Sequence, residues 1–184
     1  REIGDLKDAI EMNNVVLQKH KVLQGNDHPL TLLTMNNLAL CYSAKGDHNG
    51  AIEMTKEVLQ KSKTIFSDNH PRTLATMLNL AVCYREKGDL CDAIEMNKEV
   101  LQKQKSILGD DHPETISTIS YLAQCYQRKG NLNDAIEMNK EALKKYETIH
   151  GNDHPRTFMT MHNLALCYKA KGDHNYASIK WRWK

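Results

Sequence analysis

The stretch GNDHPLT at residues 25–31 decides the fold, because it returns three more times at a constant interval. It becomes SDNHPRT at 67–73, GDDHPET at 109–115 and GNDHPRT at 151–157, so neighbouring copies lie 42 residues apart. Self-similarity at a fixed period of this length is typical of tandem structural repeats. The chain is therefore predicted to be an array of one repeated unit.

Each unit carries two helical patterns. In the first, Met35, Leu38, Ala39 and Tyr42 recur at i, i+3, i+4 and i+7, which places one apolar stripe along a helix. The segment NLALCY at 37–42 returns as NLAVCY at 79–84, YLAQCY at 121–126 and NLALCY at 163–168. A second helix carries a further apolar set, starting at the AIEM segment: Ala51, Met54, Val58, Leu59 and Ile65.

The DHP segment is interpreted as a helix boundary. Proline is favoured in the first turn of a helix, where its missing N–H costs nothing. The residue before a proline is pushed out of helical dihedral angles, so His28 is predicted to be an N-cap or N′ residue. Gly25 is expected to end the preceding helix, as are Gly109 and Gly151, with Ser67 as the one substitute. In the KGD turn, Gly46 can take the left-handed position and Asp47 can cap the next helix.

These signals predict one array over residues 1–184. It consists of a partial repeat at 1–24, complete repeats at 29–66, 71–108 and 113–150, and a partial terminal repeat at 155–184. The expected helices are 5–24, 29–44, 47–66, 71–86, 89–108, 113–128, 131–150, 155–170 and a short one at 173–184. The chain is expected to be a fragment of a longer protein. Trp181 and Trp183 either cover the last apolar face or are foreign to the native sequence.

The pattern resembles the tetratricopeptide repeat, and its 42-residue period is similar to the kinesin light chain type. The residues that carry the resemblance are Leu38, Ala39, Tyr42, Gly46, Asp47, Ala51 and Val58. The resemblance implies an all-α fold, an α-solenoid in which antiparallel helix pairs form a right-handed superhelix. One departure lies in the second helix, where Thr55, Asn97 and Asn139 replace a common aromatic residue.

Composition excludes several classes of function. Lys and Arg number 25 against 23 Asp and Glu, so no concentrated basic face points to nucleic acid or an anionic membrane. No apolar run approaches the roughly 18 residues of a membrane span. Four of the five cysteines recur at the repeat interval, so they lie on successive layers about 8–10 Å apart, too far for a disulfide. They are predicted to be free and buried, Cys91 to be a buried or half-buried thiol, and the protein to be cytoplasmic.

Catalysis, metal and cofactors are not expected. The four repeated histidines stand on separate layers, whereas zinc ligands must lie about 2 Å from one centre. His150 and His154 have the spacing of a helical metal pair, but the turn containing Gly151 separates them. No glycine-rich phosphate loop and no H-E-x-x-H segment occurs.

The resemblance instead implies binding in a concave groove lined by the first helix of each pair. Asn37, Asn79 and Asn163 form a register of amides, interrupted by Tyr121, that can pair with the backbone of an extended peptide. The alternative is that these asparagines bond to a neighbouring helix and only stabilise the stack. The complete predicted lining is Leu33, Asn36, Asn37, Leu40, Ser43, Ala75, Leu78, Asn79, Val82, Arg85, Ser117, Ser120, Tyr121, Gln124, Arg128, Met159, His162, Asn163, Leu166 and Lys169.

Three functions remain open from the sequence. The first is a non-catalytic scaffold that binds an extended peptide or a partner helix; Arg85, Arg128 and Lys169 would favour an acidic or phosphorylated ligand, although Glu86 counts against this. The second is head-to-tail self-association of the repeats. The third is a regulatory sensor array within a larger nucleotide-binding or motor-adaptor protein.

Overall fold

A computed structural model describes the backbone of residues 2–173 and the side chains of residues 6–173. The described part of the chain consists of eight α-helices joined by short turns, without a strand. The helices are α1 Glu2–Gln24, α2 Pro29–Lys45, α3 His48–Phe66, α4 Pro71–Lys87, α5 Leu90–Leu108, α6 Pro113–Lys129, α7 Leu132–His150 and α8 Pro155–Lys171. Their bounds follow the predicted ones closely. The final helix expected over 173–184, with Trp181 and Trp183, lies beyond Asp173 and so outside the described residues.

The fold class is an all-α solenoid of consecutively packed helices, as predicted. The chain divides into two compact units between Met96 and Asn97, within α5. In the N-terminal unit, α1 packs on α2, α2 on α3 and α3 on α4, and α2 also contacts α4. In the C-terminal unit, α6 packs on α7, α7 on α8, and α6 contacts α8. Below, α2, α4, α6 and α8 are called the first helices of their pairs.

The repeated GNDHPLT segment closes a loop with its own side chains. Gly25 takes a φ of 93°, a left-handed conformation that an L-residue with a side chain rarely adopts. His28 is the N-cap of α2, and its Nδ1 accepts a hydrogen bond from the backbone N–H of Leu30 at 3.2 Å. Thr31, which is fully buried, donates from Oγ1 to the carbonyl of Gly25 at 2.8 Å. The loop therefore ends one helix and starts the next by fixed hydrogen bonds.

The same bonds recur before every later first helix. His70, His112 and His154 accept at Nδ1 from the second residue after them, at 3.1, 3.2 and 3.2 Å. The threonine bond recurs from Thr73 to Ser67 at 2.7 Å, from Thr115 to Gly109 at 2.9 Å, and from Thr157 to Gly151 at 2.9 Å. The interpretation of the histidine as a helix cap is confirmed. The threonine is a further part of the motif that the sequence pattern alone did not reveal.

The KGD turn joins the two helices of a pair. Gly46 takes a φ of 98°, and the N–H of Asp47 donates to the carbonyl of Tyr42 at 2.9 Å. The carboxylate of Asp47 accepts from the N–H of Gly50 at 3.0 Å, which confirms it as the cap of α3. Asn131, at the same point before α7, makes no side-chain cap bond. The predicted cap is therefore present before α3 but absent before α7.

Each unit buries its own apolar clusters. In the N-terminal unit, Ile10 and Leu17 of α1 pack with Leu32, Met35 and Leu38 of α2 and with Val58 of α3. In the C-terminal unit, one cluster contains Ile116, Ile119, Ala142 and Tyr146, and a second contains Ala135, Ile136, Leu143, Leu164, Cys167 and Tyr168. Fully burying one such aliphatic side chain stabilises the fold by about 1.5–3 kcal/mol.

A row of buried polar residues explains the missing aromatic in the second helices. Thr55 lies 3.9 Å from the Sγ of Cys83, and the amides of Asn97 and Asn139 donate to Cys125 and Cys167 at 3.7 and 3.6 Å. Each of these side chains thus contacts the cysteine of the following first helix, within a single unit. At these positions a polar contact with a buried thiol stands where the family commonly has an aromatic residue.

Three burial predictions need correction. Ile65 was placed in the apolar stripe, but it is exposed because Ser62 and Phe66 face the neighbouring helices instead. Cys91 was expected to be at least half-buried, yet it is exposed in the first turn of α5. Cys83, Cys125 and Cys167 are buried as predicted, whereas Cys41 is only partly buried. All five cysteines are free, also as predicted.

We expect the substitution Ser67→Gly to stabilise the protein. Ser67 has φ 87° and ψ 165°, a region almost exclusive to glycine that costs a residue with a side chain about 1–3 kcal/mol. Glycine loses more conformational entropy on folding than serine, which offsets part of the relieved strain. We therefore expect the free energy of unfolding, measured with urea, to rise by about 1 kcal/mol. Ser106→Gly, at an exposed position of α5, is the control and should destabilise by about 0.5 kcal/mol. A Ser67→Gly variant less stable than the parent chain would contradict the claim that the backbone is strained at Ser67.

Candidate peptide-binding surface on the first helices

The predicted amides lie at the surface of the first helices. In the N-terminal unit Asn37 of α2 is exposed and Asn79 of α4 is half-buried; in the C-terminal unit Tyr121 of α6 is exposed and Asn163 of α8 is half-buried. The side chains of the three asparagines form no hydrogen bond with any other described residue. Their donors and acceptors are therefore available to solvent or to a ligand.

The asparagine that bonds to a neighbouring helix is Asn36, one residue before Asn37. Asn36 is buried, and its amide donates to the Oγ1 of Thr76 in α4 at 3.0 Å. Its placement in the groove lining was wrong, because one residue along a helix turns the side chain by about 100°. Ser43 and Ser120 were also assigned to the lining and are buried, Ser43 against His48 and Ser120 on the carbonyl of Ile116.

A cleft opens between the C-terminal halves of α2 and α4. It has a volume of about 560 Å³ and includes three residues of the predicted lining, Leu40, Ser43 and Val82. His48 and Glu86 also line it and were not among the predicted residues. The remaining lining residues are Ala44, Lys45 and Gly46. Because Leu40 and Val82 are only half-buried, the cleft presents an apolar floor to an incoming side chain.

Apolar side chains flank the amides in both units. Leu33 of α2 is 53% exposed, and Met159 of α8 is 66% exposed. Tyr121 and Leu166 are exposed as well, whereas Leu78, at a predicted position on α4, is half-buried. The first helices therefore present both polar amides and accessible apolar side chains.

The predicted basic rim is partly neutralised. The guanidinium of Arg85 donates from Nε and Nη2 to Oε1 of the adjacent Glu86, at 3.1 and 3.0 Å. Both residues are at least partly buried, so this pair removes Arg85 as a ready partner for an acidic ligand. Arg128 and Lys169 are exposed on α6 and α8.

The buried thiols are poorly suited to nucleophilic chemistry. Burial raises the pKa of Cys83, and the hydrogen bonds from Thr55 and Ser43 offset this only in part. Burial likewise raises the pKa of Cys167, against the opposing hydrogen bond from Asn139. A thiol with a raised pKa holds less of the reactive thiolate at neutral pH. These cysteines therefore have the character of packing residues.

Metal-binding clusters and membrane-spanning helices are both absent from the described part of the chain. Among its residues, no group of three His, Cys, Asp or Glu side chains is placed to hold a metal ion. Within the same range, no helix combines the length and apolar character needed to cross a membrane.

The fold and this surface define a helical repeat protein of the solenoid class. The sequence profile of the tetratricopeptide repeat matches residues 1–64, 73–148 and 117–178. The chain therefore belongs to the tetratricopeptide repeat family, whose members are generally non-catalytic scaffolds. A comparison with curated proteins gave no match.

Solved structures give the same result. The chain is similar to a single-residue variant of a Podosopora anserina protein described as a putative kinesin light chain with nearly identical TPR-like repeats. The TM-score is 0.76 at 26% sequence identity, and the match covers 96% of this chain and 83% of the other. A second structure under that description gives a TM-score of 0.74 at 26% identity, with the same coverage of both chains. BtubC (BKLC) from P. vanneervenii shares the fold, with a TM-score of 0.75 at 22% identity over 96% of this chain and 70% of the other. The predicted resemblance to kinesin light chain-type repeats is confirmed.

We expect two adjacent asparagines to differ sharply in their contribution to stability. Asn36→Ala removes the bond to Thr76 inside the helix stack, so the free energy of unfolding should fall by about 1–2 kcal/mol. Asn37→Ala removes an exposed side chain without a partner and should change it by less than about 0.5 kcal/mol. Urea unfolding followed by circular dichroism measures both. Equal losses would mean that Asn37 also supports the stack.

Proposed function

We propose that this chain is a non-catalytic protein-interaction module that binds an extended peptide along the exposed faces of its first helices. The observation that carries the proposal is that the side-chain amides of Asn37, Asn79 and Asn163 have no hydrogen-bond partner among the described residues, whereas the buried Asn36 bonds within the helix stack. Membership of a family of scaffolds supports the same class of function.

The chemistry of the amides favours an extended peptide over a partner helix. The backbone N–H and C=O groups of a helix are already bonded within the helix, so surface amides have little to offer them. An extended segment leaves both groups free, and one asparagine can donate to a carbonyl and accept from an N–H. Each such bond contributes about 0.5–1.5 kcal/mol net of the water it replaces.

Side-chain recognition would come from the apolar surface around the amides. The cleft formed by Leu40 and Val82 in the N-terminal unit suits one apolar side chain of the peptide. Met159 and Leu166 offer accessible apolar surface near Asn163 in the C-terminal unit. Because Glu86 already pairs with Arg85, acidic residues of the ligand contribute less to recognition than its backbone and apolar side chains. The five free thiols favour a reducing compartment, and we place the protein in the cytoplasm.

The test is a selection from a displayed random-peptide library, followed by fluorescence anisotropy with one selected peptide. For a peptide that binds the N-terminal unit we expect Asn79→Ala to raise the dissociation constant about fivefold, the equivalent of about 1 kcal/mol, and for a peptide that binds the C-terminal unit we expect the same of Asn163→Ala. Asn26→Ala, in an exposed loop, is the matched control and should bind as the parent chain does. Circular dichroism must show unchanged helicity. A selected peptide that binds all variants equally would refute the role of the amides.

The apolar surface of α1 supports a second candidate function, association between copies of this chain. Val16 is 42% exposed, whereas its repeat equivalents Val58 and Val100 are fully buried. Met12, Val15, Val22 and Leu23 are exposed on the same helix. Contiguous exposed apolar side chains commonly mark an interaction site.

We expect sedimentation velocity to show reversible association that weakens when Val16 is changed to Gln. The polar amide would have to be desolvated in the contact, which costs free energy. Glu11→Gln, an exposed polar substitution on the same helix, is the control and should leave association unchanged. A monomer at every concentration would remove this candidate.

A further inference from the structure

The junction between α7 and α8 differs chemically from the other helix junctions. The rings of His150 and His154 stack at 4.2 Å with an interplanar angle of 17°, and the ring of Tyr146 stacks on His150 at 5.9 Å. At the equivalent point between α3 and α4, the uncharged Phe66 stacks on His70 at 4.7 Å. Before α6 the equivalent residue is Leu108. Among the described junctions, the one before α8 is therefore distinguished by a second imidazole that stacks on the capping histidine.

The cap at α8 depends on a neutral imidazole. His154 accepts the N–H of Arg156 at Nδ1, at 3.2 Å, so its ring proton must lie on Nε2. An imidazolium has no lone pair and cannot accept this bond. The N-terminus of a helix also carries about half a positive charge, which further disfavours a cation there. Protonation of His154 would therefore both remove the cap and place a cation at the wrong end of α8.

Charged groups of both signs surround His154. From α7, His150 faces His154, with Tyr146 behind it; from α8 itself, Arg156 does so. On α6, the hydroxyl of Ser117 lies 3.4 Å from Nη1 of Arg156. The exposed carboxylates are Glu114, in the first turn of α6, and Asp153, directly before His154; negative charge of this kind opposes the effect of Arg156. Burial lowers the pKa of His154, and the positive charges of His150 and Arg156 lower it further.

The sign of the pH effect follows from that direction. A histidine with a lowered pKa binds a proton less readily in the folded protein than in the unfolded chain. Its contribution to stability is complete above the ordinary value of about 6.5 and is lost as the pH falls through the lower, folded value. The Nε2 of His150, which stacks on His154, is buried without a hydrogen-bond partner among the described residues.

We propose that the stacked pair His150 and His154 is an acid-sensitive junction that releases the start of α8 from α7 while α6 keeps its start. Protonation of His154 places an imidazolium ring in contact with His150 and close to the positive charge of Arg156, and it abolishes the N-cap of α8. Protonation of His112, the N-cap of α6, would not meet this repulsion, because Leu108 stands in place of His150 and Glu114 in place of Arg156. The consequence for binding rests on the proposed function: acid would withdraw Asn163, Met159 and Leu166, all on α8, from the peptide surface.

The experiment is hydrogen exchange followed by mass spectrometry between pH 7.5 and 5, corrected for the intrinsic exchange rate. The observable is the ratio of amide protection in the first turn of α8 to that in the first turn of α6. We expect this ratio to fall about fivefold or more on acidification, the factor that corresponds to one helix cap of ordinary strength. No peptide ligand enters the measurement, so its outcome is independent of the proposed function.

Two variants provide the controls. His154→Asn keeps a side chain that caps helices well but does not titrate, so the ratio should stay constant with pH. His150→Leu reproduces the junction before α6 and should reduce the fall in the protection ratio on acidification. This variant keeps the test decisive if His154→Asn proves unstable. A constant ratio in the parent chain would overturn the proposal. So would an undiminished fall in both variants.

Discussion

The hydrogen bond from the repeated threonine to the carbonyl that ends the preceding helix is the constraint on which the array depends. It joins Thr31 to Gly25, and the same bond recurs before α4, α6 and α8. Together with the histidine cap, it fixes both ends of a loop only a few residues long. Each first helix therefore starts at a set position relative to the helix before it, and the apolar stripes of neighbouring helices meet in register. The buried clusters follow from this alignment.

Asparagine serves two purposes in this fold, and helix geometry separates them. Asn36, Asn97 and Asn139 are buried and bond to Thr76, Cys125 and Cys167. Asn37, Asn79 and Asn163 lie at the surface without a partner in the described chain. The bonds of the buried asparagines pair their NH₂ groups and offset part of the cost of desolvation, although the Oδ1 atoms of Asn36 and Asn139 are buried without a hydrogen-bond partner. A surface amide remains hydrated and carries no such cost. Neighbouring identical residues can therefore carry stability and binding separately.

Histidine likewise combines a structural role with a chemical one. The DHP segment is a helix boundary, which explains its recurrence without any metal or catalysis. The cap nevertheless requires a lone pair on Nδ1, so it forms only with a neutral imidazole. Where the neighbour is Phe66 or Leu108, the cap stands beside an uncharged side chain. Where the neighbour is His150, a second imidazole stacks on the cap.

The sequence alone determined the repeat, the helix bounds, the histidine caps and the tetratricopeptide family, because proline, glycine and the apolar spacing act locally and recur every 42 residues. It also predicted the surface positions of Asn37 and Tyr121. Only the tertiary structure decided which side of each helix its neighbours cover. That is why Asn36 proved buried and Ile65 exposed, and why His48 lines a cleft. Burial and pairing depend on how two helices cross, and helical periodicity fixes a stripe only to within about one residue.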